Sequence, residues 1–404
     1  MTGRRLLCAL IGTTLAALLA PPPAAAAAAP VPCPTVRVTP KPSRPPKPTP
    51  PPAVPEQKAV GGPDLASPGL VVPAGASRAP AVTASSWLVA DLDTGEVLGA
   101  CGAHEYGTPA SVQKLLLAAT MIPRLDPKQR VRVTRADLNF EPGSSAVGLL
   151  QGGVYSVELL WLGLLLQSGN DAANVLARLG GGSQAGGVRL MNEEARRLGA
   201  LQTHAVTPSG LDGPGQFTSA YDLALIARAC FALPAFQRYT LVERVQVPRQ
   251  PRATPPDPRG FQIQNENDLI REYDGALGGK TGFTSLARHT YVGAAERGGR
   301  RLVVTLLGAE PRPLRGWQQG AALLDWGFAQ PAGAGVGRLV SPGSVAAPTP
   351  TATPSSEPGP TAHVEAVPRS HSPAPARAPF VVAGVAVVIV LAFALALRAV
   401  RRRR

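Results

Sequence analysis

Ser111 and Lys114 stand three residues apart in Ser111-Val112-Gln113-Lys114. On a helix this spacing brings both side chains to one face, within reach of each other. A serine hydroxyl is a weak nucleophile and needs a base beside it. A lysine amine can be that base once burial, a neighbouring cation or hydrogen bonding lowers its pKa. Two further elements follow in order, Ser168-Gly169-Asn170 and Lys280-Thr281-Gly282. Singly, the three read as a solvated pair, a turn and the end of a surface strand. Spread in this order over one domain, they read as the parts of a serine acyl-transfer site.

Such residues need a scaffold. Residues 84–331 are about the size of one large α/β domain. The stretch 87–98 reads as a hairpin: Trp87-Leu88-Val89-Ala90, a turn at Asp93-Thr94-Gly95, then Val97-Leu98. A helix is expected from about Pro109 to about Ile122, since proline suits a first helical turn, where its missing N–H is unbonded anyway. Residues 157–166 are strongly apolar and read as the core helix of a helical half. Residues 185–198 and 219–231 read as amphipathic helices. After Lys280 the pattern turns to strands, 290–295 and 302–307, joined by a turn at 296–300, and 314–328 closes the domain as a helix. Strands at both ends with helices between predict an α/β (α+β) fold. Its antiparallel sheet is closed by the two ends of the domain, flanked by helices, and carries a helical insertion.

The rest of the 404 residues reads differently. Residues 1–29 have a charged start at Arg4 and Arg5, an apolar stretch over 6–20 and an alanine tract, the pattern of a cleaved signal peptide. The 44 prolines crowd into 30–80 and 342–379. Residues 30–83 and 332–379 are therefore expected to be disordered linkers. Residues 380–397 form an uninterrupted apolar run with one glycine, long enough to span a bilayer. The basic tail 398–404 would stay cytoplasmic and leave everything before the run outside. The formal net charge of +14 invites a nucleic-acid reading. Many cations, among them Arg4, Arg5, Lys41, Arg44, Lys47 and Arg398, lie outside the core, and no aromatic-rich basic motif accompanies them. Targeting and envelope-surface charge is the better account, with no nucleic-acid partner. His104, His204 and His289 are scattered, without metal-ligand spacing, so neither metal nor cofactor is expected.

The middle region resembles the low-molecular-mass penicillin-binding D-alanyl-D-alanine carboxypeptidases. The Ser-x-x-Lys, Ser-x-Asn and Lys-Thr-Gly set carries the likeness. Supporting it are Pro208-Ser209-Gly210-Leu211-Asp212, Thr218-Ser219-Ala220-Tyr221-Asp222, Asp274-Gly275 before Lys280, and Asp325-Trp326-Gly327-Phe328. The signal, the Pro-rich linker and the membrane anchor are similar to actinobacterial members, while the second β-rich domain of many members has no counterpart here. The resemblance implies a β-lactamase/transpeptidase-like fold and hydrolysis of the terminal D-alanine of peptidoglycan stem peptides through an acyl-enzyme on Ser111, with β-lactams as covalent inhibitors. It implies Lys114 as base, Ser168 as proton shuttle to the leaving group, and Asn170 orienting Lys114 and the substrate amide. Lys280 would keep the site electropositive, and Thr281 and Gly282 would line the strand that receives the substrate backbone. The backbone N–H groups of Ser111 and Phe283 would form the oxyanion hole. The family usually has a polar residue where Phe283 stands. An arginine commonly holds the substrate carboxylate, for which Arg315 is the candidate and Arg312 the runner-up.

A β-lactamase shares these motifs, but class A enzymes carry Ser-Asp-Asn and a deacylating Glu about forty residues on. Residues 202–211 contain no Glu. A catalytically silent wall-binding protein would be expected to have lost Ser111, Lys114 or Lys280. Transpeptidation, in which an amine replaces water, stays open as a variant of the first reading. In an oxidising compartment Cys33, Cys101 and Cys230 remain after signal removal. Cys33–Cys101, Cys101–Cys230 and free thiols are all compatible with the sequence.

Overall fold

The computed structural model describes residues 29–40 and 42–345. In chain order these form helix α1 (Pro55–Lys58), strands β1 (Leu70–Val71), β2 (Ser86–Asp91) and β3 (Glu96–Cys101), and helix α2 (Lys114–Met121). Strands β4 (Arg130–Arg132) and β5 (Val154–Ser156) follow, then helices α3 (Val157–Leu166), α4 (Asn170–Gly181), α5 (Gln184–Leu198), α6 (Ala220–Phe231) and α7 (Pro234–Thr240). The last third holds strands β6 (Arg244–Val247) and β7 (Phe261–Gln264), helix α8 (Leu269–Glu272), strands β8 (Ala276–Thr284), β9 (Arg288–Arg297) and β10 (Arg300–Ala309), helix α9 (Gly316–Phe328) and strand β11 (Gly337–Arg338).

The main sheet runs β1-β3-β2-β10-β9-β8, antiparallel throughout, with β11 also pairing β3. Both ends of the domain thus meet at one side of the sheet, as strands at each end of the sequence predict. The β2–β3 hairpin closes at the expected turn, where the Asp91 carboxylate accepts from the amides of Asp93 and Thr94 at 2.9 and 2.8 Å. Alternation along the strands divides the core in two. Leu88, Ala90, Val292, Ala294 and Val303 face the helical half. Trp87, Val89, Tyr291, Ala295, Leu302 and Val304 face α9, where Leu323, Leu324 and Trp326 cover them.

In the helical half, all eight residues of α2 are buried. α3 is buried on nearly all sides, as its unbroken apolar sequence demands, and Ser156 caps it by accepting from Leu159 N at 3.2 Å. Ser219 caps α6 in the same way, accepting from Asp222 N. The helix expected from Pro109 is a single 3₁₀ turn, Ala110–Gln113, followed by α2. The α4 and α7 helices and the small β4–β5 and β6–β7 ribbons were not anticipated.

The expected linker 30–83 needs correction. Its Leu65, Ala79 and Val82 are buried, β1 pairs with β3, and Cys33 is disulfide-bonded to Cys101 with Cα atoms 5.9 Å apart. These few apolar residues find covering surface on the domain that no local pattern foretells. The domain also outlasts residue 331: β11 pairs with β3, and Leu339 is buried. Cys230 is a buried free thiol whose Sγ donates to the Leu115 carbonyl at 3.1 Å. Among the described residues no helix is long and apolar enough to cross a membrane. The expected signal 1–29, apart from residue 29, the anchor 380–397 and the tail 398–404 lie outside the described residues.

Candidate active site

The three sequence elements converge on one cleft of about 460 Å³. Ser111 lies in the 3₁₀ turn, and Lys114 opens α2. Ser168 sits between α3 and α4, Asn170 is the first residue of α4, and residues 280–283 belong to β8. Among the described residues three non-glycines have left-handed φ: Ala110 at 49°, Ser168 at 59° and Arg288 at 59°. They flank the nucleophile turn, form the second element, and end the β8–β9 turn. Backbone strain of this kind persists only where the surroundings over-determine it.

The turn carrying Ser111 is held from two sides. Thr290 on β9 donates its hydroxyl to the Pro109 carbonyl at 2.8 Å. From the other side Gly210, with φ of 87°, lies so close to the Ala110 carbonyl that no Cβ fits between them. That accounts for glycine in the Ser209-Gly210-Leu211 stretch.

Lys114 is fully buried, and its Nζ lies 2.8 Å from each of Ser111 Oγ, Asn170 Oδ1 and the Ser209 carbonyl oxygen. Burial, reinforced by the charge of Lys280, holds its pKa well below the usual lysine value, with Asp171 and Glu266 opposing. Two of the three partners, the amide oxygen and the carbonyl, can only accept. A neutral amine has two N–H bonds, which these two partners take. Its lone pair is then left for the Ser111 hydroxyl, the arrangement of a base poised on a nucleophile.

Ser168 is buried and its hydroxyl makes no hydrogen bond. Asn170 donates from Nδ2 to Ser144 Oγ at 3.0 Å, which fixes its amide so that Oδ1 faces Lys114. Lys280 is buried, donates to the Thr281 carbonyl at 2.8 Å, and has its pKa pushed down to about 8 by burial, against the pull of Glu266. Thr281, Gly282 and Phe283 line the cleft. Phe283 is half exposed, its ring tilted against His289 at 4.7 Å between centroids. Arg315 also lines the cleft, as the residue before α9, with a largely exposed guanidinium 3.5 Å from Asp268. Arg312 does not line it.

Several residues at the site escaped the sequence reading. Asp171, next to Asn170, accepts from the amides of Val147, Gly148 and Leu149, each at 2.9 Å, and so shapes the loop that bears Ser144. Glu266, Asp268, His289 and Trp317 line the cleft. The polar run Asn265-Glu266-Asn267-Asp268 between apolar residues was the available signal for the first two.

A serine, a depressed lysine, a free second hydroxyl and a buried cation around one cleft define a serine acyl-transferase. The family described as D-alanyl-D-alanine carboxypeptidase matches residues 74–311. D-alanyl-D-alanine carboxypeptidase DacB2 of Mycobacterium tuberculosis is 45% identical over 275 residues, 67% of this chain and 90% of that protein. DacD of Escherichia coli is 35% identical over 259 residues, 61% of this chain and 64% of that protein. Among solved structures, a D-alanyl-D-alanine carboxypeptidase of M. tuberculosis superposes with a TM-score of 0.62 at 43% identity, covering 67% of this chain and 100% of its own. A Streptomyces DD-transpeptidase superposes with a TM-score of 0.59 at 25% identity, covering 63% and 100%. The chain belongs to the serine D-alanyl-D-alanine carboxypeptidases of the penicillin-binding protein family.

Proposed function

We propose that the chain removes the terminal D-alanine from peptidoglycan stem peptides. The observation that carries this is the buried Lys114 amine 2.8 Å from Ser111 Oγ, beside two groups that can only accept. In this reading Lys114 takes the Ser111 proton as Oγ bonds to the carbonyl carbon of the penultimate D-alanine. The developing oxyanion is received by the backbone N–H groups of Ser111 and Phe283. As the C–N bond breaks, the proton passes from Lys114 through Ser168 to the departing amine. Water then attacks the ester, and Ser111 regains its proton. Asn170 orients Lys114 and the substrate amide, while Thr281 and Gly282 receive the peptide backbone along β8. Lys280 and Arg315 supply positive charge for the terminal carboxylate.

A β-lactam acylates the same serine and leaves slowly in this reading, because no deacylating Glu stands in residues 202–211. Glu266, on the cleft wall, makes no hydrogen bond to Ser111 or Lys114. Transfer of the acyl group to an amine is the second reading, favoured by the likeness to the Streptomyces DD-transpeptidase. We further place the catalytic domain outside the cytoplasmic membrane, delivered by the signal 1–29 and anchored by residues 380–397, with the part of 332–379 that follows residue 345 as spacer.

Incubation with a stem pentapeptide ending in D-Ala-D-Ala, followed by mass analysis, tests the reaction. Release of one D-alanine per peptide is expected, with none from Ser111→Ala. A fluorescent penicillin should label the wild type on the Ser111 peptide and leave Ser111→Ala unlabelled. Rapid repeated hydrolysis of penicillin would instead identify a β-lactamase.

A further inference from the structure

Residues before 74 lie outside the matched family region, yet one of them, Arg44, contacts Glu310, the neighbour of the cleft-lining Pro311. Glu310, at the end of β10, is 3% exposed. Its carboxylate accepts from Arg288 Nε and Nη2 at 3.2 and 2.9 Å and from Arg44 Nη2 at 2.6 Å. Burial works against its ionisation, but the hydrogen bonds from Arg288 and Arg44 prevail and hold the carboxyl below its usual range. Arg288 is the last residue of the β8–β9 ladder, paired with Thr284, and its φ is left-handed. Its guanidinium also sits 5.5 Å from the centroid of the Phe283 ring. Phe283 and its cross-strand partner His289 both line the cleft.

The chain ahead of Arg44 is anchored at residues 33–36. It is fastened by the Cys33–Cys101 disulfide and by a parallel bridge between Thr35 and Val82, where Val36 N donates to the Val82 carbonyl at 3.1 Å. A buried carboxylate that loses one of two cationic partners is left undercompensated, which destabilises the arrangement that remains. Here the other partner is the strained residue that supports Phe283.

We propose that Arg44 and Glu310 are positioning residues that brace Arg288 and the β8–β9 turn, so that the N-terminal segment sets the substrate affinity of the cleft. The brace acts through Phe283 and His289 and touches no reacting atom. This inference rests on the carboxypeptidase reading for its kinetic effect, though not for its structural one.

The test uses the full chain with its disulfide intact, as wild type and as Arg44→Ala, Arg44→Lys, Arg288→Ala and the Arg44→Ala/Arg288→Ala pair. Arg44→Ala should raise KM for stem pentapeptide about 3- to 10-fold with kcat within about twofold, the pattern of weakened binding. Tm should stay within about 2 °C, since a half-exposed side chain carries little global stability. Arg44→Lys should recover part of the affinity, and the paired variant should fall short of additivity. Hydrogen exchange in residues 281–290 should quicken in Arg44→Ala. This last measurement reads the brace even if the chain proves inactive on stem peptide. Unchanged exchange in 281–290, or a wild-type KM in Arg44→Ala beside a raised KM in Arg288→Ala, overturns the proposal. So does a loss of kcat that simply tracks a fall in Tm.

Discussion

Gly282 and Ser111 meet backbone against backbone. A Cβ built on Gly282 would stand 2.9 Å from the Ser111 amide nitrogen and 3.1 Å from that of Val112, and would also strike the Thr290 hydroxyl. The third element is therefore pressed directly on the first, so β8 and the Ser111 turn fix each other's position. Gly282→Ala should push β8 away from Ser111. Penicillin acylation should fall by about 10²-fold, the scale of loss expected when reacting groups are displaced by about 1 Å. Tm should change little, because Gly282 lies at the cleft rather than in the core. An unchanged acylation rate would show that the strand yields without cost.

The two buried lysines should shape the pH profile in opposite ways. Acylation should rise with pH as Lys114 gives up its proton, and decline above about pH 8 as Lys280 loses its charge. Lys280→Arg should move the alkaline limb upward, since a guanidinium keeps its proton there. For stability the sign is fixed by both folded values lying below the ordinary lysine value of 10.5. The unfolded chain binds more protons, so the Lys280 contribution to stability grows as pH rises from about 8 to 10.5. Acylation rates and urea midpoints measured below and above about pH 8 check both signs. An alkaline limb unmoved in Lys280→Arg would remove Lys280 from the assignment.

Peptide mapping without reduction should recover Cys33 linked to Cys101, with Cys230 alkylated only after unfolding. The bridge closes a sequence separation of 68 residues. Its loss in Cys33→Ser should lower stability by about 2–4 kcal/mol, measured against a Cys230→Ser control. A map containing a Cys101–Cys230 link would contradict the structure.

Removing residues after 379 should release active enzyme into the medium, if 380–397 is the anchor as proposed. Protease added to wall-less cells should reach the catalytic domain of the full chain. A truncated protein that stays with the membrane fraction would make the N-terminal segment the anchor.

Local chemistry made the site legible. The three-residue spacing of Ser111 and Lys114 survives a change of geometry, because a 3₁₀ turn leading into a helix still brings both to one side. The β2–β3 hairpin was legible from alternation and from Asp93-Thr94-Gly95. What stayed hidden depends on partners distant in sequence. Cys33, Leu65 and Val82 carry no periodicity, and only Cys101, the helical-half core and the α9-side core respectively give them a place. Glu266 reaches the cleft because the fold brings its turn there, and no spacing from Ser168 announces it. Helix α4 stays hidden because its first residue, Asn170, closes the turn signal Ser168-Gly169-Asn170.

The main sheet is unequal at its two sides. The outer side of β3 is taken along its length by β1 and β11, while β8 has a strand partner on one side only. An exposed sheet edge invites neighbouring molecules to add their own strands, and a protein must blunt it or pay in aggregation. Here the side away from the cleft is closed by the domain's own ends. The remaining edge faces the Ser111 turn, whose backbone stands against Gly282. A turn pressed on that edge leaves less of its backbone open to a strand from a neighbouring copy.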